Sequence, residues 1–447
     1  MKETPNVEEL LAKAKKPAAD AMILHPYYKG KIATIPKCCI RDFKDFAIWY
    51  TPGVAAPCKE INRNPESVYE HTNKANLVAV VSDGTRVLGL GDIGPEAGLP
   101  VMEGKAILFK YLGGVDAFPI CLDTKDPDKI IETVKILQPS FGGINLEDIS
   151  QPKCFRILDT LRAECHIPVW HDDQQGTAAV TLAGLINAVK VVGKKLSEVR
   201  VAMIGAGAAN IAISRVLIGG GVTPGNIIMT DTKGILFPER ADKEELKAKY
   251  KEKWHMATVS NHWGIQGGAY EAVKGSDVII ALSSPGSVKA EWIREMAPDP
   301  IIFVCANPVP EIWPWEAKAA GARIVATGRS DFPNQVNNSV GFPGIFRGTL
   351  DVRAKTITDE MCIAAAVAIA ETAEKKGLHE DYIMPTMDDW EVFPNEAAAV
   401  GHMAVKQGVA RLNMTRDEIY KIAAETIRQA REEIQCLMKE GFIRMPK

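Results

Sequence analysis

Val201-Ala202-Met203-Ile204-Gly205-Ala206-Gly207-Ala208-Ala209-Asn210 decides the fold class of this chain. Four apolar residues, enough for a short buried strand, run into a Gly-x-Gly turn and then into small residues that suit a helix start. That is the order of a dinucleotide-binding strand, turn and helix. Gly205 permits the tight turn and Gly207 lets the backbone approach a pyrophosphate. Ala208 and Ala209 open the helix whose N-terminus would carry the phosphate charge. Asn210 stands where the third glycine of the fingerprint belongs, so the motif taken alone also fits an ordinary structural turn.

The surroundings of that turn favour the cofactor reading. Apolar runs at 199–204, 226–230, 277–282, 301–306 and 322–326 alternate with longer polar or helical stretches. Short buried strands alternating with helices mean a parallel sheet in an α/β layer fold, here a Rossmann-type core. Residues 177–192 carry alanine, leucine and valine at helical spacing and predict a helix leading into it. Asp231 ends the second strand, where a carboxylate accepts from a ribose 2′-hydroxyl and favours NAD. Lys233, Arg240 and the run Lys243, Lys247, Lys249, Lys251 and Lys253 follow it. A solvated helix face explains most of these lysines, but the group also offers charge for a 2′-phosphate. NADP is therefore the expected cofactor over NAD, with Lys247, Lys249 and Lys251 as the suppliers of that charge.

Working outward, the first 170 residues are more mixed, with glycine-rich turns between 78 and 114 and short strands at 77–81 and 115–122. They predict a second α/β domain. Beyond 338 the chain becomes helical, with an alanine-rich stretch at 359–375 and an amphipathic one at 417–439. The length of 447 residues exceeds one ordinary domain. The expected division is a substrate- and metal-binding domain over 1–172, a Rossmann domain over 173–337, and a C-terminal helical segment over 338–447 packing back on the first.

A formal charge of −3 supplies no basic field for nucleic acid, and 46% hydrophobic content is that of a globular protein. No apolar run reaches the roughly 18 residues of a membrane span. Nine cysteines, an odd number without a C-x-x-C pair, fit reduced thiols better than a disulfide framework. The opening Met1-Lys2-Glu3-Thr4-Pro5 has no signal-peptide character. The expected setting is the cytoplasm and the expected partner a small molecule, with neither nucleic acid nor membrane.

Chemistry is concentrated ahead of the fingerprint. Trp170-His171-Asp172-Asp173-Gln174-Gln175-Gly176-Thr177 sets two carboxylates at the mouth of the 177–192 helix, and Glu147-Asp148 lies upstream. Hard divalent cations such as Mg²⁺ or Mn²⁺ take carboxylate oxygens, substrate oxygens and water. Acidic pairs also cap helices, and both sites read equally as N-cap sequences. A cation beside a nicotinamide would be apparatus for oxidising a hydroxy acid.

Several further motifs carry a family resemblance: Tyr50-Thr51-Pro52-Gly53-Val54, Ser82-Asp83-Gly84-Thr85-Arg86-Val87-Leu88-Gly89-Leu90-Gly91-Asp92, Met102-Glu103-Gly104-Lys105, and Asp331-Phe332-Pro333-Asn334-Gln335-Val336-Asn337-Asn338. With the two acidic segments they resemble the malic enzyme family over about residues 45–355. The length is similar to the shorter, bacterial-type members, whereas Gln175 and Arg86 lean toward the longer eukaryotic ones. The resemblance implies metal-dependent oxidative decarboxylation of L-malate to pyruvate and CO₂ with reduction of NAD(P). It implies Glu147, Asp148 and Asp173 as ligands of Mn²⁺ or Mg²⁺, Lys105 as general base, Tyr50 as general acid, and Asp172 as the group orienting the lysine amine. Arg86 matches a binder of a substrate carboxylate, and Asn307 and Asn338 match amides that bond malate and the nicotinamide carboxamide. His171 is given no role beyond local packing. Two other readings share these residues: a malolactic-type lyase that retains its nucleotide and produces lactate, and a catalytically silent nucleotide-binding regulator. A homo-oligomer, as a dimer, is expected.

Overall fold

The computed structural model describes residues 7–306 and 309–446. Two parallel-stranded sheets organise the chain. The first contains β1 (Leu77–Ser82), β2 (Asp116–Cys121), β3 (Gly143–Leu146) and β4 (Val169–His171) in the order β2-β1-β3-β4. All its pairings are parallel, with Val78 opposite Gly143 and Ile144 opposite Val169. The second contains β5 (Val201–Ile204), β6 (Ile227–Asp231), β7 (Gly234–Ile235), β8 (Val278–Ala281), β9 (Ile301–Val304) and β10 (Ile324–Thr327) in the order β10-β9-β8-β5-β6-β7. Only β7 runs antiparallel. The fold is therefore α/β with a Rossmann-type sheet, as the alternation of apolar runs predicts.

Strands β3, β4, β5, β8, β9 and β10 are buried along their whole length, and β5, β8, β9 and β10 accordingly read as continuous apolar runs without polar alternation. Four of the five strands read from apolar runs are shorter than the runs, β6 alone keeping five residues. The run at 301–306, for example, leaves the sheet after Val304, and the Ala306 N–H donates to Glu311 Oε2 at 3.1 Å.

Helix Thr177–Val191 joins the two sheets and is buried on nearly every side, consistent with its alanine-rich composition. The C-terminal helices Phe342–Asp351, Asp359–Glu374, Val392–Lys406 and Arg416–Lys439 return toward the first sheet. They share a core with it that includes Val78, Val80, Trp170, Phe346 and Ile419. Phe109, in helix Pro95–Gly113, meets Phe342 at 4.6 Å and Phe346 at 5.1 Å between ring centroids, both edge to face. Among the described residues no helix is long and apolar enough to cross a membrane, and all nine cysteines are free thiols.

Candidate active site

In the first sheet β1 sends its crossovers to opposite sides, β2 on one flank and β3 on the other, so a crevice opens at the carboxyl ends of the strands. Three strands end there in acidic residues. Asp83 follows β1, Glu147 and Asp148 follow β3, and Asp172 and Asp173 follow β4. Asp172 begins a wide turn over Asp172–Gly176 in which no side chain caps the helix that follows, so the N-cap alternative does not apply. Gly176 is required by close approach: a Cβ there would lie 2.1 Å from Asp172 Oδ1.

Glu147, Asp148 and Asp173 bring carboxylate oxygens within 4.8 Å of one another. Asp148 takes a left-handed backbone conformation, φ 55°, which leaves its N–H donating to Asp173 Oδ2 at 2.8 Å. Asn145 Nδ2 holds Glu147 Oε2 at 2.8 Å. Burial pushes the Glu147 carboxyl well above its usual range, and burial together with Asp173 pushes Asp148 up to about 7. Among the described residues, Asp148 Oδ2, Asn145 Oδ1, Gln174 Nε2 and both ring nitrogens of His171 are buried without a hydrogen-bond partner. An all-oxygen, mutually repelling donor set ringed by unpaired polar atoms fits a hydrated divalent cation. His171 Nδ1 lies 3.6 Å from Asp173 Oδ2, and burial lowers its pKa, which keeps it a neutral packed group.

Helix Pro95–Gly113 delivers Lys105 to this cluster. Its Nζ lies 2.5 Å from Asp172 Oδ2, 3.0 Å from Glu147 Oε1 and 4.3 Å from the centre of the Phe342 ring. Burial pulls the ammonium down, but Asp172 and Glu147 outweigh it and hold the pKa above the usual lysine value. Asp172 is fixed from its other side by Trp170 Nε1 at 3.2 Å.

The remaining substrate candidates occupy the rim. The Arg86 N–H donates to Asp148 O at 2.9 Å, while its exposed guanidinium donates to Leu88 O at 2.7 Å. Asn338 opens a short helical turn beside the Asp172 loop, where a Cβ on Gly176 would come within 3.3 Å of its own Cβ. Asn307 lies outside the described residues. Tyr50 is not brought into the cluster. Its side chain is 70% exposed, and its hydroxyl makes no hydrogen bond among the described residues.

The second sheet supplies the nucleotide features. β5 lies between β6 and β8, so the fingerprint turn sits where strand order reverses. Gly205 has φ +101° and a Cβ there would meet Leu282 O at 3.0 Å, so glycine is needed. Gly207, Ala208 and Ala209 are partly accessible at the start of helix Ala208–Gly219. Asn210 is fully buried and faces away from this opening. Its Nδ2 donates to Ile204 O at 3.0 Å and Gly205 O at 2.8 Å, so it braces the turn from inside.

Asp231 is enclosed in an ion cluster. Oδ1 accepts from Lys233 N and Arg240 Nη1, both at 2.9 Å, and Oδ2 accepts from Arg240 Nη2 at 3.3 Å and Lys253 Nζ at 3.5 Å. The Lys233 side chain turns instead to Glu245 and Asp242. Lys247 pairs with Glu244 at 2.8 Å and lies over the Trp254 ring. The cations in contact with Asp231 are thus Arg240 and Lys253. Beside them lies a cleft of about 450 Å³ lined by Lys233, Arg240 and Gln266, among others.

Sequence reasoning missed three positions. Trp170, which donates to Asp172, and Phe342, whose ring lies under the Lys105 ammonium, were given no role. Glu311, fully buried, accepts from Ser283 N at 2.7 Å as well as from Ala306 N, tying together the loops after β8 and β9. A glutamate in the apolar setting Pro308-Val309-Pro310-Glu311-Ile312 is the signal that could have found it.

Comparison with known proteins agrees with this arrangement. Residues 29–162 match the malic enzyme N-terminal domain and residues 174–405 the malic enzyme NAD binding domain. A bifunctional malic/malolactic enzyme of Bacillus subtilis is 50% identical over 400 residues, 90% of this chain and 96% of that protein. An NAD-dependent malic enzyme of Geobacillus stearothermophilus is 50% identical over 382 residues, 86% of this chain and 78% of that protein. The crystal structure of the Entamoeba histolytica malic enzyme superposes with a TM-score of 0.96 at 50% identity, covering 100% of this chain and 93% of that one. With both domains matched and a buried lysine–carboxylate cluster at the crevice of the first, the chain belongs to the malic enzyme family.

Proposed function

We propose that this malic enzyme divides its proton work between Lys105 and Tyr50, holds its cation on Glu147, Asp148 and Asp173, and prefers NADP. The enzyme is an NAD(P)-dependent oxidoreductase that decarboxylates L-malate to pyruvate and CO₂. The observation that carries the assignment of roles is the contact of Lys105 with both Asp172 and Glu147. When bound, the cation supplies Lewis-acid polarisation at the C2 oxygen and the nucleotide supplies the hydride acceptor.

Lys105 takes the C2 hydroxyl proton and must be a free amine to do so. Its neighbours hold the ammonium; Glu147 is shared between Lys105 and the set that would hold the cation, and with a cation bound there it would hold the lysine less strongly. Asp172 keeps the amine aimed at the crevice. Arg86 and Asn338 receive substrate carboxylate and amide-bonding groups at the rim. Asn307 is assigned to the same task from the family motif. Tyr50 protonates C3 of enolpyruvate once the β-carboxylate has left. Gly205, Gly207, Ala208 and Ala209 receive the pyrophosphate, with Asn210 positioning the turn. The four acceptor contacts already made by Asp231 leave it without free lone pairs for a ribose hydroxyl, and Arg240 adds positive charge beside it, which supports NADP. We assign the division into residues 1–172, 173–337 and 338–447 on the same basis, and read the enzyme as a cytoplasmic homodimer.

The test is a steady-state assay with L-malate, Mn²⁺ and each nicotinamide cofactor, following reduced cofactor and pyruvate together. Stoichiometric appearance of both is expected, with the lower KM for NADP. Failure to form pyruvate would reject the assignment. The likeness to a bifunctional malic/malolactic enzyme favours one second reading, lactate production without net reduction, so lactate is measured in the same reaction.

A further inference from the structure

We propose that Thr85 is a positioning residue for malate. Its hydroxyl fastens the loop that carries Arg86 to the loop that carries Asp148, so that substrate and cation bind as coupled ligands. The proposal rests on the roles given above to Arg86 and Asp148. Of the loop 83–92, which follows β1, those roles use Arg86 alone.

Thr85 is buried between the two loops. Its Oγ1 donates to Asp83 Oδ1 at 2.6 Å and accepts from the Ser150 N–H, two residues beyond Asp148, at 3.0 Å. A hydroxyl can donate to a carboxylate and accept from an amide at the same time. Valine has the same shape and does neither, so it would leave the Ser150 N–H without its acceptor. Asp83 is held from its other side by Lys153 Nζ, at the start of helix Lys153–Glu164. Lys153 also donates to Lys125 O at 3.2 Å, and Lys125 Nζ pairs with Asp92 at 2.7 Å. Both ends of the loop 83–92 are therefore tied together through two lysines.

The same loops meet again at the metal ligand. The Arg86 N–H donates to Asp148 O at 2.9 Å and the Leu88 N–H to Asp148 Oδ1 at 3.5 Å, while Asp148 Oδ2 has no partner among the described residues. Leu88 and Asp148 both have a left-handed backbone, φ 48° and φ 55°. A residue with a side chain keeps that conformation only where its surroundings hold it there. Thr85 supplies such a hold next to Arg86 on one loop and close behind Asp148 on the other. The position of Arg86 thus follows that of Asp148, while its exposed guanidinium, resting on Leu88 O, is accessible to a carboxylate. Ordering of either loop by one ligand prepares the other loop for the second ligand, a coupling that is reciprocal.

The experiment titrates Mn²⁺ into the full-length enzyme by calorimetry, without nucleotide so that nothing turns over, in the absence and presence of saturating L-malate. Wild type should bind Mn²⁺ about tenfold more tightly with malate than without. Thr85→Val and Thr85→Ala should keep the malate-free affinity within about threefold and lose most of that enhancement, whereas Thr85→Ser should retain it. In steady state the KM for malate of the Val and Ala enzymes should rise by about the factor lost, with a smaller fall in kcat and no change in the KM for the nucleotide. A wild type without enhancement, or an enhancement of wild-type size in both hydroxyl-free variants, would overturn the coupling. So would an equal weakening of Mn²⁺ binding with and without malate, a serine variant that behaves like valine, or loss of cooperative thermal unfolding in both hydroxyl-free variants. Arg86→Gln separates the two levels. If it leaves the KM for malate unchanged, the substrate role of Arg86 fails and the coupling with it, whereas a failure at Thr85 alone leaves that role standing.

Discussion

The Nζ of Lys105 lies 2.5 Å from Oδ2 of Asp172, a carboxylate with no solvent exposure that Trp170 clamps from behind. Two charges taken from water in this way are held by each other, and the charge of Asp172 raises the lysine pKa while its position aims the amine. The Asp172→Asn enzyme is expected to lose about 10²–10³-fold in kcat through misorientation of the base. With one counter-charge gone, the Lys105 pKa falls, so the acid limb of kcat/KM moves to lower pH. Steady-state kinetics across pH decide this. An acid limb that moves upward, or an unchanged kcat, would separate Asp172 from the base.

Asp148 is pushed up to about 7 by burial and by Asp173, a crowding that a divalent cation relieves. Thermal unfolding should therefore occur at higher temperature with Mn²⁺ than with EDTA, since a ligand that binds only the folded state stabilises it by mass action. The Asp173→Asn variant should remain folded, lose turnover, and lose most of the Mn²⁺-dependent shift. Full malate oxidation by chelator-treated protein would show the ligand assignment to be wrong.

Much of this arrangement was legible because the second sheet is buried on both faces, so β5, β8, β9 and β10 stand out as apolar runs. Strands β3 and β4 were not legible. Gly143-Ile144-Asn145-Leu146 and Val169-Trp170-His171 are short and contain buried polar residues, Asn145 and His171, that interrupt the apolar pattern. The acidic pairs were visible, but their convergence depends on the strand order β2-β1-β3-β4, which no local pattern encodes. The Asp231–Arg240 contact shows the same limit. Nine residues of separation in sequence reads as a loose basic cluster, while the turn through β7 makes it a direct two-pronged ion pair.

Arg240 donates to Asp231 through Nη1 and Nη2 and to Asp242 at 2.7 Å, beside the acidic residue that ends the second strand of the Rossmann sheet. Replacing Arg240 by Gln removes the positive charge and leaves two carboxylates facing a 2′-phosphate. The KM for NADP should rise by an order of magnitude or more, about 1.4 kcal/mol per tenfold, with a smaller effect on NAD. Lys247→Gln should change neither, because its ammonium is engaged with Glu244. Parallel initial-rate measurements with the two cofactors test this, and an unmodified enzyme with the lower KM for NAD would defeat the preference.

Glu396, in helix Val392–Lys406, is fully buried against the backbone of Phe342–Asp351, and neither of its carboxyl oxygens has a hydrogen-bond partner among the described residues. The close approach depends on Gly344, where a Cβ would lie 2.0 Å from Oε2. Burial alone raises the carboxyl pKa well above its ordinary value, so the folded chain keeps a proton that the unfolded chain releases above about pH 4.3. Over that interval the unfolded state binds fewer protons, and stability falls as pH rises, by about 1.4 kcal/mol per pH unit for one group until the raised pKa is passed. Glu396→Gln has nearly the same shape and no proton to lose, so it should remove this component. Thermal unfolding of wild type and variant at pH 5 and pH 8 provides the measurement. The variant should gain relative to wild type at pH 8 by more than it does at pH 5, whereas an equal offset at both would mean that Glu396 finds a partner that keeps it ionised.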